Sequence, residues 1–160
     1  MNLVETIGYV RSDLQSLHDW CNYQSRMKSM SSSRVAYGRT HKWFGYEVIL
    51  KPNAEIKNGH WDERVNRLGD RILPGWNCAL LCHYRPGGRM IRHCDHSVFE
   101  PLVALVNIGR TTFCIGNQEY HLTDGQVIKF DSGILHELLP VVSDRWSLSF
   151  RTIKPEYLRF

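Results

Sequence analysis

The sequence holds no apolar run of 18 residues or more, so no membrane-spanning helix and no membrane partner are expected. Its first residues, MNLVETIGYVRSD, lack the basic start and long apolar stretch of a secretory signal. A cytoplasmic location is the expectation. No C-x-x-C pair occurs, and the five cysteines, Cys21, Cys78, Cys82, Cys94 and Cys114, are odd in number. A disulfide framework or a closed structural zinc site is therefore not expected. Most of these thiols read as small buried side chains in a reducing compartment. Internal repeats and low-complexity linkers are absent, and so is a strong charge of either sign. A net charge of +4, with 42% hydrophobic and 22% charged residues, describes an ordinary globular chain. That mild excess permits a polyanionic partner without demanding one.

What is present divides into two textures. The 160 residues suit one domain, 1–160. Residues 1–74 read as helices with irregular segments, and 75–153 as a β core. Ser12 followed by Gln15 has the spacing of a capping box, and Leu14, Leu17 and Cys21 then share a helix face near Trp20. Trp61, Val65, Leu68 and Ile72 predict a second helix, with Asp62 and Glu63 in its first turn and Arg67 and Arg71 near its end. Pro74-Gly75 ends it. From residue 77 short β-type runs alternate with turns: NCALLCHY, the turn PGG, RMIRHCD, PLVALVNI, TTFCIG, QEYHL, the turn TDG, QVIKF, LHELLP and RWSLSFR. The pattern predicts an α+β, mainly β fold: a double-stranded β-helix, or jelly roll, with the N-terminal helices packed on one side.

The chemistry sits in the β half. In I-R-H-C-D-H-S, His93 and Asp95 are two apart at a strand end and point to one face, with Cys94 turned away. His136, in ILHELL, is the best candidate for a third ligand from a later strand. Two histidines and one carboxylate on one side of an ion leave positions open, as in the facial triad of non-haem Fe(II) oxygenases. An H-x-D tripeptide alone is a weak signal. The last strand strengthens it: alternation puts Arg145, Ser147, Ser149 and Arg151 on one face and Trp146, Leu148 and Phe150 on the other. Arginines turned inward need anions. Six steps at ~3.3 Å separate the two α-carbons by roughly 20 Å, and two inward-reaching side chains leave room for a short dicarboxylate held in bidentate fashion.

The ordered set NCALLCHYRPGGRMIRHCDH, PLVALVNIG, TDGQVIKFDSGILHELLP and RWSLSFR resembles the Fe(II)/2-oxoglutarate-dependent dioxygenases, specifically their AlkB-like branch. The resemblance covers about residues 75–153. It implies Fe(II) held by His93, Asp95 and His136, 2-oxoglutarate as cosubstrate, and O2. It further implies that Tyr84 and Arg145 meet the distal carboxylate of 2-oxoglutarate and Arg151 its metal-chelating end. Which arginine takes which carboxylate stays open. Ser147 occupies the place of a family asparagine or serine. Two departures stand out: Cys82 replaces the asparagine two before the tyrosine, and Ser97 stands where bacterial demethylases carry a base-reading acidic residue.

In that family the segment ahead of the core forms a substrate lid. Here residues 31–46 interleave Arg34, Arg39 and Lys42 with Tyr37, Trp43, Phe44 and Tyr46. Tyr37, Arg39, Trp43 and Tyr46 are therefore candidates for contacting single-stranded or alkylated nucleic acid. The alternative for the same residues is a β-hairpin whose aromatics pack on the core. His96 and Ser97 are candidates for the substrate mouth; His83 reads as structural. Three functions are weighed. One is oxidative demethylation of an alkylated nucleobase with formaldehyde release. Another is 2-oxoglutarate-dependent hydroxylation of a small metabolite or protein side chain. The third is a non-enzymatic, cupin-like sensor of metal or diacid.

Overall fold

The computed structural model describes residues 1–27, 34–50 and 53–159. Its ten strands are β1 (Val4–Tyr9), β2 (Ala36–Ile49), β3 (Glu55–Asn58), β4 (Cys78–His93), β5 (Leu102–Ile108), β6 (Thr111–Ile115), β7 (Gln118–Leu122), β8 (Gln126–Asp131), β9 (His136–Leu138) and β10 (Arg145–Arg151). The two α-helices are α1 (Leu14–Met27) and α2 (Glu63–Ile72). The spacing of apolar residues explains both. Leu17 and Cys21 lie four apart on α1 and are buried. In α2, Val65 is buried, while the Asp62 carboxylate accepts the Val65 amide hydrogen at 3.1 Å. Asp62, expected in the first turn, instead caps the helix from an extended backbone one position outside it.

Strand pairing is antiparallel throughout, in the order β1-β8-β5-β10-β4-β9-β6-β7, with β2 on β4 and β3 on β2. β4 is the pivot. Its first half pairs with β10 and β2, while Met90 and His93 pair with β9. One strand thereby joins β10 and β5 on one side to β9 and β6 on the other, and the single ladder curls into the expected jelly roll. Alternation sorts the side chains. Ala79 and Leu81 of β4, and Leu148 and Phe150 of β10, pack with Leu17, Cys21, Val65 and Leu73 from the helical half. Leu80, Cys82 and Tyr84 pack inside with Phe113, Ile115, Phe130 and Leu138. Both helices therefore cover the outer side of β4 and β10, and the inward face of β10 brings Arg145, Ser147, Ser149 and Arg151 to the interior.

One expected turn is corrected. Residues 86–88, P-G-G, do not reverse the chain. The Gly87 amide donates to the Val141 carbonyl at 2.7 Å and the Val141 amide to the Gly88 carbonyl at 2.9 Å, so this backbone stays paired and β4 continues through a bulge. Gly38 (φ 61°) faces the bulge, and a Cβ there would lie 3.0 Å from Gly88 Cα. The segment read either as a lid or as a hairpin with core-packed aromatics is largely β2, paired with both β4 and β3. Its aromatics divide: Trp43, Phe44 and Tyr46 pack against apolar neighbours, while Tyr37 is exposed. Residues 31–33 of that segment lie outside the described residues.

Candidate metal centre and anion pocket

His93 closes β4 and stands directly opposite His136, the first residue of β9. Asp95 lies two beyond His93, its amide donating to the Ser132 carbonyl at 3.1 Å. Cys94, between them, is exposed, with Sγ 3.2 Å from the Gly133 carbonyl oxygen. Strand parity thus turns His93 and Asp95 to the same place. The ligand atoms of His93, Asp95 and His136 all lie within 4.8 Å of one another. His136 is 1% exposed and packs its ring against Phe113 and Phe130, at centroid distances of 5.9 and 5.4 Å.

Hydrogen bonds fix the rings. His93 Nδ1 lies 2.7 Å from the Ile91 carbonyl, and His136 Nδ1 lies 2.8 Å from the Ile134 carbonyl. A carbonyl only accepts, so each Nδ1 carries the proton and donates it. In the neutral rings each Nε2 then presents a lone pair. His93 Nε2 lies 3.8 Å and His136 Nε2 3.3 Å from Asp95 Oδ1. Burial chiefly lowers the His93 pKa, assisted by His136 and Arg151, so the neutral ring is favoured. Burial acts to raise the Asp95 pKa, but the Arg151 guanidinium and His136 outweigh it and hold the carboxyl well below the usual range. Two imidazole nitrogens and a carboxylate oxygen thus converge on one point, a donor set that suits a cation. Metal–ligand bonds of about 2.1 Å place neighbouring donors roughly 3.0–3.4 Å apart. The two separations from Asp95 Oδ1, 3.8 and 3.3 Å, come close to that. Arg151 Nε donates to Asp95 Oδ2 at 2.7 Å and its Nη1 to Ser149 Oγ at 2.6 Å, leaving Oδ1 for the metal side.

Away from this centre the interior carries unbalanced positive charge. Arg145 is 2% exposed. Its Nε donates to Asn107 Oδ1 at 2.8 Å, and no carboxylate reaches the guanidinium among the described residues. Burial accordingly lowers its pKa. Asn107 is held by its own donations from Nδ2 to the Gly109 and Thr123 carbonyls, at 2.7 and 2.8 Å. Tyr84 is opposite Arg145 in register, with the guanidinium carbon 5.2 Å from its ring centroid. Ser147 is buried opposite Cys82. A buried cation whose outer nitrogens lack a partner fits an anionic guest.

The remaining sequence candidates separate. Tyr37 is 51% exposed beside Arg89, whose guanidinium carbon lies 4.9 Å from its ring centroid. Arg39 turns inward beside Tyr84. Trp43 packs with the interior apolar residues, and Tyr46 packs with Val48 and Cys78 and edge-on to Trp61 at 5.7 Å. His96 and Ser97 are exposed; His96 Nδ1 accepts the Val98 amide hydrogen at 3.0 Å. His83 stacks on Trp146 at 4.6 Å and bonds Asp144 at 2.9 Å, outside the site. Sequence reasoning missed Asn107 and His41. Asn107 is a polar residue inside the apolar run VALVNI, which is a readable signal. His41 is buried, and burial with the nearby Arg39 charge lowers its pKa to about 4; its signal is shared alternation with Arg39 and Trp43.

No protein-family model matches the sequence, and no curated protein does either. Solved structures do match the fold. One described as OsALKBH1 is similar over 95% of this chain and 99% of its own, with a TM-score of 0.69 and 13% identity. A prolyl hydroxylase from Trichoplax adhaerens, in complex with a hypoxia inducible factor peptide fragment, covers 98% of this chain and 86% of its own, with a TM-score of 0.66 and 18% identity. An oxidoreductase of the 2OG-Fe(II) oxygenase family from Burkholderia pseudomallei covers 94% and 85%, with a TM-score of 0.65 and 14% identity. At these identities the likeness is one of architecture: this chain has the jelly-roll fold of those oxygenases, with a His-Asp-His cluster in its interior.

Proposed function

We propose that this chain is an Fe(II)/2-oxoglutarate-dependent dioxygenase that oxidises an N-methyl group of an alkylated nucleobase in single-stranded DNA or RNA. The observation that carries the enzyme class is the pairing of two sites in one interior. His93, Asp95 and His136 converge on a cation position, and the buried Arg145 at the other end of β10 from Arg151 is matched to an anion. Bound Fe(II) would couple the oxidative decarboxylation of 2-oxoglutarate by O2, giving succinate and CO2, to oxidation of a substrate C–H bond.

The chain's own residues supply position and charge. The two histidines offer Nε2 because their Nδ1 hydrogens are committed to carbonyls. Arg151 holds Asp95 ionised and oriented, and it would meet the chelating end of the cosubstrate. Arg145 and Tyr84 would take the distal carboxylate, with Asn107 fixing the Arg145 fork from behind. Ser147 and Cys82, opposite each other, would line the diacid between its ends.

For the substrate, support comes from the likeness to OsALKBH1 and from the exposed Tyr37–Arg89 pair, an aromatic and a cation suited to a base and its phosphate. A second reading, hydroxylation of a peptide or metabolite, draws on a different observation: Trp43 and Tyr46 are taken up in packing rather than free to stack on a base. The test is succinate and formaldehyde release from oligonucleotides carrying 1-methyladenine or 3-methylcytosine. Formaldehyde stoichiometric with succinate is expected. Succinate without formaldehyde on every oligonucleotide would sink the nucleobase reading, and no succinate under any condition would leave a metal or diacid sensor.

A further inference from the structure

Arg39 lies directly across from Tyr84 between β2 and β4, and Tyr84 lies directly across from Arg145 between β4 and β10. Residues paired this way point to one side of a sheet. Arg39, Tyr84 and Arg145 therefore make a single row facing the interior. Their guanidinium carbons stand 6.0 Å (Arg39) and 5.2 Å (Arg145) from the Tyr84 ring centroid. Arg39 Nε is buried with no hydrogen-bond partner among the described residues, and its Nη2 meets His41 Nδ1 at 3.4 Å. Both ring neighbours, His41 and Tyr84, are held in their neutral forms, His41 by burial and the Arg39 charge and Tyr84 chiefly by burial. No carboxylate pairs with Arg39 among the described residues.

An exposed guanidinium without a partner is ordinary, because water satisfies it. A half-buried one whose Nε is sealed from water has a donor left over, which an anion can take. Two kinds of anion suit a guanidinium: a phosphate of a polymer arriving from solvent, or a small carboxylate enclosed in the interior. Arg39 is half-buried, with its Nε sealed from solvent, so the groups that face it decide between the two. Its place in the Tyr84–Arg145 row argues for the carboxylate. We propose that Arg39 is the second guanidinium of the distal-carboxylate site, so that the far end of the diacid is gripped between Arg145 on β10 and Arg39 on β2, with Tyr84 between them. This rests on the reading of the chain as a 2-oxoglutarate enzyme. It makes Arg39 a specificity residue that selects diacids over monoacids, in place of the substrate-lid role its sequence neighbourhood implies.

The test uses the full chain loaded with Mn(II), which holds the site without turnover, and two ligands. 2-Oxoglutarate has both carboxylates; pyruvate has the same chelating head and no distal carboxylate. Dissociation constants are measured by calorimetry for wild type, Arg39→Met and Arg39→Lys. Arg39→Met should weaken 2-oxoglutarate about tenfold or more, the loss of a charge-assisted contact, and pyruvate less than twofold. Its metal-free Tm should stay close to that of wild type, because Arg39 is half-buried and pairs with no carboxylate among the described residues. If that variant fails to fold, Arg39→Lys carries the test. Lysine keeps the charge without the planar fork, so 2-oxoglutarate should still weaken at least threefold more than pyruvate. Equal losses for both ligands, or none, overturn the proposal. A wild-type protein that binds neither ligand overturns the function itself and this inference with it. Wild-type binding that Arg39→Met leaves unchanged overturns the inference alone.

Discussion

The two ends of the interior differ in how they handle charge. At the metal end the polar groups answer one another: Asp95 has Arg151, and each histidine has a carbonyl for Nδ1. At the other end, Arg39 and Arg145 share a tyrosine and have no carboxylate among the described residues. The first arrangement is complete except for a cation, and the second except for an anion. The first is built from short contacts around a strand end and a β9 partner, the second from one row across three strands. A guest that carries negative charge at one end and chelates at the other completes both.

The largest effect belongs to the metal end. His136→Ala removes one of three donors and leaves a cavity beside Phe113 and Phe130. Metal-site free energies shared among their ligands suggest about 4 kcal/mol per donor, or about a thousandfold in affinity. Mn(II) binding followed by electron paramagnetic resonance should show that loss. Affinity within tenfold of wild type would mean that His136 is not a ligand.

Next comes the pH response of the distal end. The folded chain holds His41 at about 4 through burial and the neighbouring Arg39 charge, against about 6.5 unfolded. The unfolded state therefore takes up a proton first. This contribution to stability is complete above about pH 6.5 and is lost as the pH falls toward 4, roughly 2–3 kcal/mol by pH 4.5. Urea unfolding at pH 7.5 and 4.5 should show wild type losing that much more than His41→Gln. Parallel losses in the two proteins would show that His41 is not held neutral.

How much of this was legible in the sequence follows the same division. The metal end was readable because it depends on local parity: His93 and Asp95 are two apart, and Arg145 to Arg151 alternate with apolar residues. The helices were readable for the same reason, since Leu17 and Cys21, or Val65 and Leu68, repeat at helical spacing. β2 was not. Its run R-T-H-K-W alternates polar and apolar character no more clearly than a solvated hairpin. Only pairing with β4 decides that Arg39 and His41 face inward. The P-G-G segment misled for a related reason: its turn chemistry is satisfied by Val141, a residue more than fifty positions away.

Arg145→Met sharpens the contrast from the anion side. Replacing a buried cation by an apolar chain of similar length removes a charge that the metal-free fold must carry at a cost. Its metal-free Tm should hold or rise, Mn(II) affinity should stay within twofold, and 2-oxoglutarate should bind roughly 30- to 100-fold more weakly, about 2–3 kcal/mol. A marked fall in Tm would mean that the Arg145–Asn107 contact holds the metal-free fold together and that Arg145 is a structural cation.

The smallest effect tests whether position matters apart from charge. Asn107 touches Arg145 only through Oδ1 to Nε, and its Nδ2 is spent on two carbonyls of neighbouring turns. Asn107→Ala keeps the Arg145 charge but frees its fork to rotate, which lowers the share of time the outer nitrogens spend aimed at a carboxylate. One ordinary hydrogen bond is worth about 1 kcal/mol, so 2-oxoglutarate should weaken roughly fivefold. A merely structural role for Asn107 predicts a different pattern: the loss of its two carbonyl contacts would lower Tm and weaken Mn(II), pyruvate and 2-oxoglutarate alike. A positioning role confines the change to the diacid, because only the diacid reaches the far arginine. The ratio of 2-oxoglutarate to pyruvate affinity is therefore the decisive readout, and a ratio unchanged from wild type would return Asn107 to the fold and leave Arg145 to aim itself.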